Sequence, residues 1–254
     1  MIHLTALVSE SLDTSIQVGA YSIIDDGSQI GKHTIIHNHV RVTSFTVIGQ
    51  GVVIHQGAAL GGDPQDLKFG GEYSTVEIGD ETVIREYVTI NRGTGANGKT
   101  KIGSHSLIMA YAHVAHDCTI GDHVIISNAV NMAGHVHIED YAGIGGMVPI
   151  HQFCRIGRYA FVGGGFRVNQ DVPPYVLAAG EPLRFSGLNY VGLRRNGFSE
   201  ERIKVIDKAY FILYRQGLTR RDALKKIHDE FDTNPDVLNI IQFVETCERG
   251  LIKP

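Results

Sequence analysis

"IGSHSLIMAYAHVAHDCTIGDHVIISNAV", residues 102–130, carries an aliphatic side chain at every sixth position: Ile102, Ile108, Val114, Ile120 and Ile126. Neither the helical period of 3.6 nor the strand period of two gives that spacing. The same phase runs on without a break to Val168, is present upstream at Ile78, Ile84 and Ile90, and before those spans Leu12 to Leu60. Four residues after many of these aliphatics comes a small one (Ser22, Thr34, Val40, Ala112, Cys118, Val124), suited to a narrow interior column. Gly19, Gly31, Gly49, Gly103, Gly121 and Gly157 follow an aliphatic directly, where they are expected to ease tight corners. A six-residue repeat is the pattern of a parallel β-helix, in which each hexad is one short strand and one corner and buries its aliphatic residue only when coils stack. Three hexads to a triangular coil predict about eight coils, at about 4.8 Å per stacked strand. The repeat itself does not set the hand, and the general rule for parallel crossovers is right-handed.

Two excursions break the count. Residues 61–77, "GGDPQDLKFGGEYSTVE", put Asp66 and Glu72 where aliphatics are due, and residues 93–99, "GTGANGK", are rich in turn formers. Loops thrown out of a solenoid are favoured carriers of binding residues. After Val168 the pattern becomes helical. Ser199 caps one predicted helix, Thr219 a second, and Asn234-Pro235 opens a third that ends at Gly250. The predicted organisation is a β-helix over residues 1–183 and a helical segment over 184–254.

Composition excludes several classes. A net charge of −4 over 254 residues gives no general attraction for nucleic acid or anionic membranes. The start "MIHLTALVSE" has no basic segment leading into a long apolar run, and no stretch of 18 apolar residues occurs, so a cytoplasmic protein without a transmembrane segment is expected. Three cysteines are too few and too odd in number for a disulfide framework. Cys118 and Cys154 fall in the inward column as packing residues.

Because nothing interrupts the count from Ile102 to Val168, residues 18 apart stack. His116 therefore aligns with Gly134 and Gln152, and Asp117 with His135 and Phe153, on the outside of the coil. The gap left by Gly134 is a place for a substrate. Most of the thirteen histidines read as solvated surface. The group His113, His116, Asp117, His135 and His151 is the exception.

The segments "AYAHVAHDC" (110–118), "AGHVHIEDYAGIGGMVPIHQFCRIG" (133–157), "NQDVPPYV" (169–176), "QDLKF" (65–69) and "GLRRNGFS" (192–199) together closely resemble the UDP-N-acetylglucosamine O-acyltransferase family. The resemblance runs from about Leu12 to the C-terminus. It implies a left-handed parallel β-helix with a C-terminal α-helical domain, a homotrimer, and transfer of an R-3-hydroxyacyl chain from acyl carrier protein to the 3-OH of UDP-N-acetylglucosamine, the first step of lipid A synthesis. No cofactor or metal is implied, the carrier thioester being a cosubstrate. Carried over by position, His116 is the general base, Asp117 orients it, and the Gly134 N–H binds the oxyanion. Asp66, Lys68, His113, His135 and Gln152 match sugar or diphosphate contacts. Asn189 and Arg195 match the nucleotide-contacting segment, and Gly164 of "FVGGGF" matches the position that limits acyl-chain depth. The chemistry fits: a sugar hydroxyl is a poor nucleophile, and imidazole is the side chain suited to take its proton near neutral pH. The chain departs from the family pattern at Asn91, Pro182, Val191 and Asn196, which replace two histidines, an acid and an arginine.

Arg194, Arg195, Arg220, Arg221, Lys225 and Lys226 form a candidate docking patch for the acidic carrier. Two other reactions suit the same scaffold: N-acylation of a 3-amino sugar nucleotide, and hydration or hydrolysis by a zinc enzyme resembling the γ-class carbonic anhydrases, with three histidine ligands.

Overall fold

The hexads form stacked coils with three flat faces. In the computed structural model, which describes residues 1–8, 12–95 and 98–254, strands β1 (Gln17–Val18) to β22 (Phe161–Val162) fall in rotation onto three parallel sheets. The winding is that of a left-handed parallel β-helix. The first face runs β1-β4-β7 through β22, the second β2-β5 through β20, and the third β3-β6 through β21. Most strands are two residues long, one outward and one inward, and the inward residue is the aliphatic of the repeat. Ile84, Ile102, Ile108, Val114 and Ile126 are fully buried. Full burial of each such side chain stabilises the stack by about 1.5–3 kcal/mol. Leu12 and Ile30, nearer the N-terminal end, are only partly buried against this core.

The role expected of the glycines is corrected. The left-handed backbone at the corners is carried mainly by larger residues, including His105 (φ 55°), Tyr111 (63°), Asp117 (58°) and Tyr141 (60°). Gly103 and Gly121 have no such φ. A Cβ on either would overlap the backbone of the next coil, so these glycines permit close stacking of coils. The corner residues cost backbone strain. Their side chains compensate by stacking into ladders, as in His105, His123, Tyr141 and Tyr159, whose ring centroids are 4.9, 4.6 and 4.7 Å apart.

Both excursions leave from the same corner, between the second and third faces. Leu60 on β8 (Ala59–Gly62) pairs in register with Ile90 on β11 (Thr89–Asn91), which pairs with Val114 on β14 (His113–Val114). On the third face Ile48 pairs with Ile78 of β9 (Ser74–Ile78), and Ile78 with Ile102 of β12 (Gly98–Ile102). The steps from Leu60 to Ile78 and from Ile90 to Ile102 are therefore single lengthened corners. Residues 96 and 97 of the second excursion lie outside the described residues.

Beyond the last coil, β23 (Val176–Ala179) extends the first face in parallel and β24 (Arg184–Leu188) turns back antiparallel. One strand of the segment 184–254 is thus hydrogen-bonded into the first face. Helices α1 (Tyr190–Arg195), α2 (Glu200–Arg215), α3 (Arg220–Phe231) and α4 (Pro235–Glu245) follow. Ser199, Thr219 and Asn234 cap the last three as expected. The α4 terminus differs: Thr246 closes the helix by donating its N–H and hydroxyl to the Gln242 carbonyl. Gly250 lies beyond, accepting the Asp171 N–H at 2.8 Å. The Tyr175 hydroxyl donates to Asp236 Oδ1 at 3.0 Å, and Arg202 grips the same carboxylate through Nε and Nη2, tying the helices to the solenoid. No helix among the described residues is long and apolar enough to cross a membrane. Burial pushes the Cys118 thiol up to about 12 and Cys154 to about 11, in line with inert packing residues.

Candidate active site

At the corner between the second and third faces, successive coils bring together the loop 63–73, the segment 92–95, His116 with Asp117, Gly134 with His135, and Gln152 with Phe153. The His135 N–H donates to the His116 carbonyl at 3.1 Å and the Phe153 N–H to the Gly134 carbonyl at 3.2 Å, which fixes the stacking expected from the count. The His116 ring lies across Gly134: a Cβ there would come within 2.7 Å of Nε2 and 3.0 Å of Nδ1. Among the described residues no acceptor takes the Gly134 N–H.

His116 Nδ1 is 2.8 Å from Asp117 Oδ2. A carboxylate only accepts, so Nδ1 carries the proton and Nε2 keeps its lone pair, the tautomer a general base needs. Asp117 also receives the Thr94 N–H at 3.0 Å on Oδ1 and the Thr94 hydroxyl at 2.6 Å on Oδ2. Burial alone would raise the Asp117 pKa, but these hydrogen bonds outweigh it and hold the carboxyl below its usual range. The Asp117 N–H donates to Thr100 Oγ1, which steadies its left-handed corner. His135 Nε2 lies 3.7 Å from Asp117 Oδ2, and its ring stacks on Phe153. On the adjoining strand His113 Nδ1 is 2.7 Å from Thr89 Oγ1. Burial, with a smaller contribution from His116, lowers the His113 pKa, so that ring is a neutral hydrogen-bonding group.

Asp66 and Lys68 sit on the 63–73 loop, where Asp66 Oδ1 accepts the Lys68 N–H at 2.9 Å. Asn91 anchors the loop's root, its Nδ2 donating to the Asp63 carbonyl at 2.8 Å. His151 is drawn elsewhere, with Arg249 Nη2 3.1 Å from its Nδ1.

Three expected site residues do not join this corner within one chain. Asn189 caps α1, taking the Gly192 N–H and donating to the Tyr159 carbonyl. Arg195 lines a groove of about 790 Å³ on the first face, beside Leu107, Ile125, Phe161 and Val191. Asn196 closes α1 through its own Nδ2, donating to the Gly192 carbonyl. Gly164 lies at the corner between the first and second faces, against Gly146. In the basic patch Arg194 is engaged by Glu200 at 2.7 Å. Thr94, Thr89 and Thr100 are the polar neighbours that the sequence reading missed.

Residues 171–252 match the family model described as UDP-N-acetylglucosamine O-acyltransferase, domain 2, and residues 99–134 match the bacterial transferase hexapeptide model (six repeats). An acyl-[acyl-carrier-protein]–UDP-N-acetylglucosamine O-acyltransferase of Xylella fastidiosa is 44% identical over 257 residues, covering 100% of this chain and 98% of that protein. One of the same name from Thermodesulfovibrio yellowstonii is 46% identical over 255 residues, covering 99% of each. The crystal structure of UDP-N-acetylglucosamine O-acyltransferase from Moraxella catarrhalis superimposes with a TM-score of 0.95 at 41% identity, covering 99% of both chains. With identity sustained from end to end and the same architecture, the chain belongs to the UDP-N-acetylglucosamine O-acyltransferase family.

Proposed function

We propose that this protein transfers an R-3-hydroxyacyl chain from acyl carrier protein to the 3-OH of UDP-N-acetylglucosamine, the opening step of lipid A synthesis, in the cytoplasm and without a resident metal. The observation that carries the reading is the convergence at one corner of the His116–Asp117 pair, the N–H of Gly134, unpaired among the described residues, and both excursions of the repeat. His116 Nε2 takes the hydroxyl proton as the sugar oxygen attacks the thioester carbonyl. The Gly134 N–H receives the resulting oxyanion. Collapse expels the carrier thiolate, which takes the proton back from the imidazolium that Asp117 has steadied. His113, His135, Gln152, Asp66 and Lys68 line the sugar and diphosphate approach.

Asn189, Arg195 and Gly164 reach such a site only from a neighbouring copy, which supports a homotrimer with shared sites. The apolar first-face groove then receives the acyl chain, and Arg195 the nucleotide. The exposed basic residues around α1 and α3 supply the carrier's docking patch, except that Arg194 is already paired with Glu200. One observation favours the zinc reading: His116, Asp117 and His135 offer ligand atoms within 4.8 Å of one another. The three donors already on the Asp117 carboxylate weigh against it.

Incubation with R-3-hydroxyacyl carrier protein and both UDP-N-acetylglucosamine and its 3-amino analogue, read by mass spectrometry, is expected to give the ester, from protein eluting at three chain masses. Dominant amide product would move the acceptor to the amino sugar. Stoichiometric zinc with no acyl transfer would sink the proposal.

The acyl-chain limit is testable separately. A Cβ at Gly164 would lie 3.2 Å from the Gly146 carbonyl oxygen and 3.5 Å from the Gly146 nitrogen, so the neighbouring coil must give by a few tenths of an ångström to admit a side chain there. Gly164→Met is expected to shift donor preference to a chain shorter by several carbons, each lost methylene contact being worth about 0.8 kcal/mol. A trimeric variant that ranks donors as the parent does removes Gly164 from that role.

A further inference from the structure

One short segment holds both the loop that bears Asp66 and Lys68 and the carboxylate behind His116. Arg92 is buried, at 4% exposure, although it carries a charge. Its Nη2 and Nε donate to Asp63 Oδ1 at 2.9 and 3.1 Å, and Nη1 donates to the Glu72 carbonyl at 2.9 Å. The guanidinium lies 4.0 Å from the ring centroid of Phe45 and 4.8 Å from that of Phe69. Asp63 and Glu72 are the two ends of the loop, so Arg92 closes its neck. Three residues on, the Gly95 N–H donates to Glu72 Oε1 at 2.8 Å. Between these anchors Thr94 turns the other way, giving its N–H and its hydroxyl to Asp117.

The two Thr94 donors fix the plane of the Asp117 carboxylate so that Oδ2 faces His116 Nδ1. Without the hydroxyl, Oδ2 loses its shortest partner, and the carboxylate can turn away from the ring. Gly93 keeps the brace tight: a Cβ there would come within 2.8 Å of Asp117 Oδ1 and overlap the backbone at Gly98 and Lys99.

We propose that Thr94 is a positioning residue for the His116–Asp117 pair, held in place by the Arg92 closure of the Asp66–Lys68 loop. The kinetic part rests on the function proposed above. Thr94→Val keeps the shape and the backbone N–H and removes only the hydroxyl. It is expected to lower kcat about tenfold, the scale of one charge-assisted hydrogen bond. The KM for the sugar nucleotide stays within about twofold, and Thr94→Ser restores most of the loss. Because Thr94 acts through Asp117, the same substitution in an Asp117→Asn background is expected to cost little more, a non-additivity that a general packing defect would not show. Parental kcat in Thr94→Val, or a full tenfold cost in the Asp117→Asn background, overturns the proposal. A second readout does not depend on activity. In ¹⁵N-histidine-labelled protein the His116 Nδ1–H resonance is expected to shift or broaden in Thr94→Val, and an unchanged resonance equally overturns the positioning role. A parent protein that acylates no sugar nucleotide while Thr94→Val still moves this resonance refutes the function alone.

Discussion

His116→Ala is expected to lower kcat by at least about a hundredfold while leaving sugar-nucleotide binding nearly unchanged, the signature of a lost general base. The geometry separates the two quantities. His116 presents Nε2 over Gly134 and commits Nδ1 to Asp117, so its polar contacts within the chain serve orientation. In the proposed mechanism the sugar and diphosphate fall to His113, His135, Gln152 and the Asp66–Lys68 loop; of these His135 packs edge to face on the His116 ring at 5.2 Å and is held independently by its stacking on Phe153. Asp117→Asn is expected to cost less, because asparagine tolerates the left-handed backbone at this corner (φ 58°) and keeps one acceptor for Nδ1–H. The double variant should be little worse than His116→Ala, since Asp117 acts through the imidazole. Steady-state kinetics on the folded protein decide this. Near-parental kcat in His116→Ala would remove the acyltransfer mechanism and return the zinc reading to the foreground.

The repeat made the architecture legible because most inward aliphatics are answered by a small residue four places later, and, apart from positions such as Ile30, Ile90 and Val162 where one member of the pair is partly buried or differs, both form buried columns from Val18 to Val168. The stacking of His116 on Gly134 and of Asp117 under His135 followed from the same count, since no insertion falls between Ile102 and Val168. Thr94 was hidden by arithmetic. Leu60 and Ile78 are 18 residues apart, which imitates a full coil, yet the chain takes only one step there, from the second face to the third. Only the register shows that both excursions share the corner of His116. The left-handed corner residues were missed for a related reason: a histidine or tyrosine every sixth residue looks like solvated surface until coils stack and the rings form ladders. Helix α1 is six residues long, too short for a 3.6 period to register. Asn189, Arg195 and Gly164 remain apart from His116 because in one triangular prism they occupy other faces and corners.

Gly134→Ala tests the placement of the base without removing any catalytic group. The added methyl would lie within 2.7 Å of His116 Nε2 and 3.0 Å of Nδ1, well inside contact distance, so the imidazole must swing off the corner. The Gly134 backbone is not in the left-handed region, so alanine adds no strain there, and the clash falls on a side chain and not on backbone. The fold should therefore persist, with a melting temperature close to the parent's. The substitution also leaves the backbone N–H proposed for the oxyanion in place. Loss of activity in Gly134→Ala with sugar-nucleotide affinity retained thus reports the position of His116, whereas a methyl that obstructs the substrate would weaken binding as well. A displaced ring leaves Asp117 and cannot reach the hydroxyl proton, so kcat is expected to fall about as far as in His116→Ala, on the order of a hundredfold or more. Sugar-nucleotide affinity should change by no more than a few-fold. Comparable losses in the two variants would mean that the glycine is there to make room for the base. Near-parental kcat in Gly134→Ala would mean either that His116 works from a different rotamer or that the base is His113 or His135.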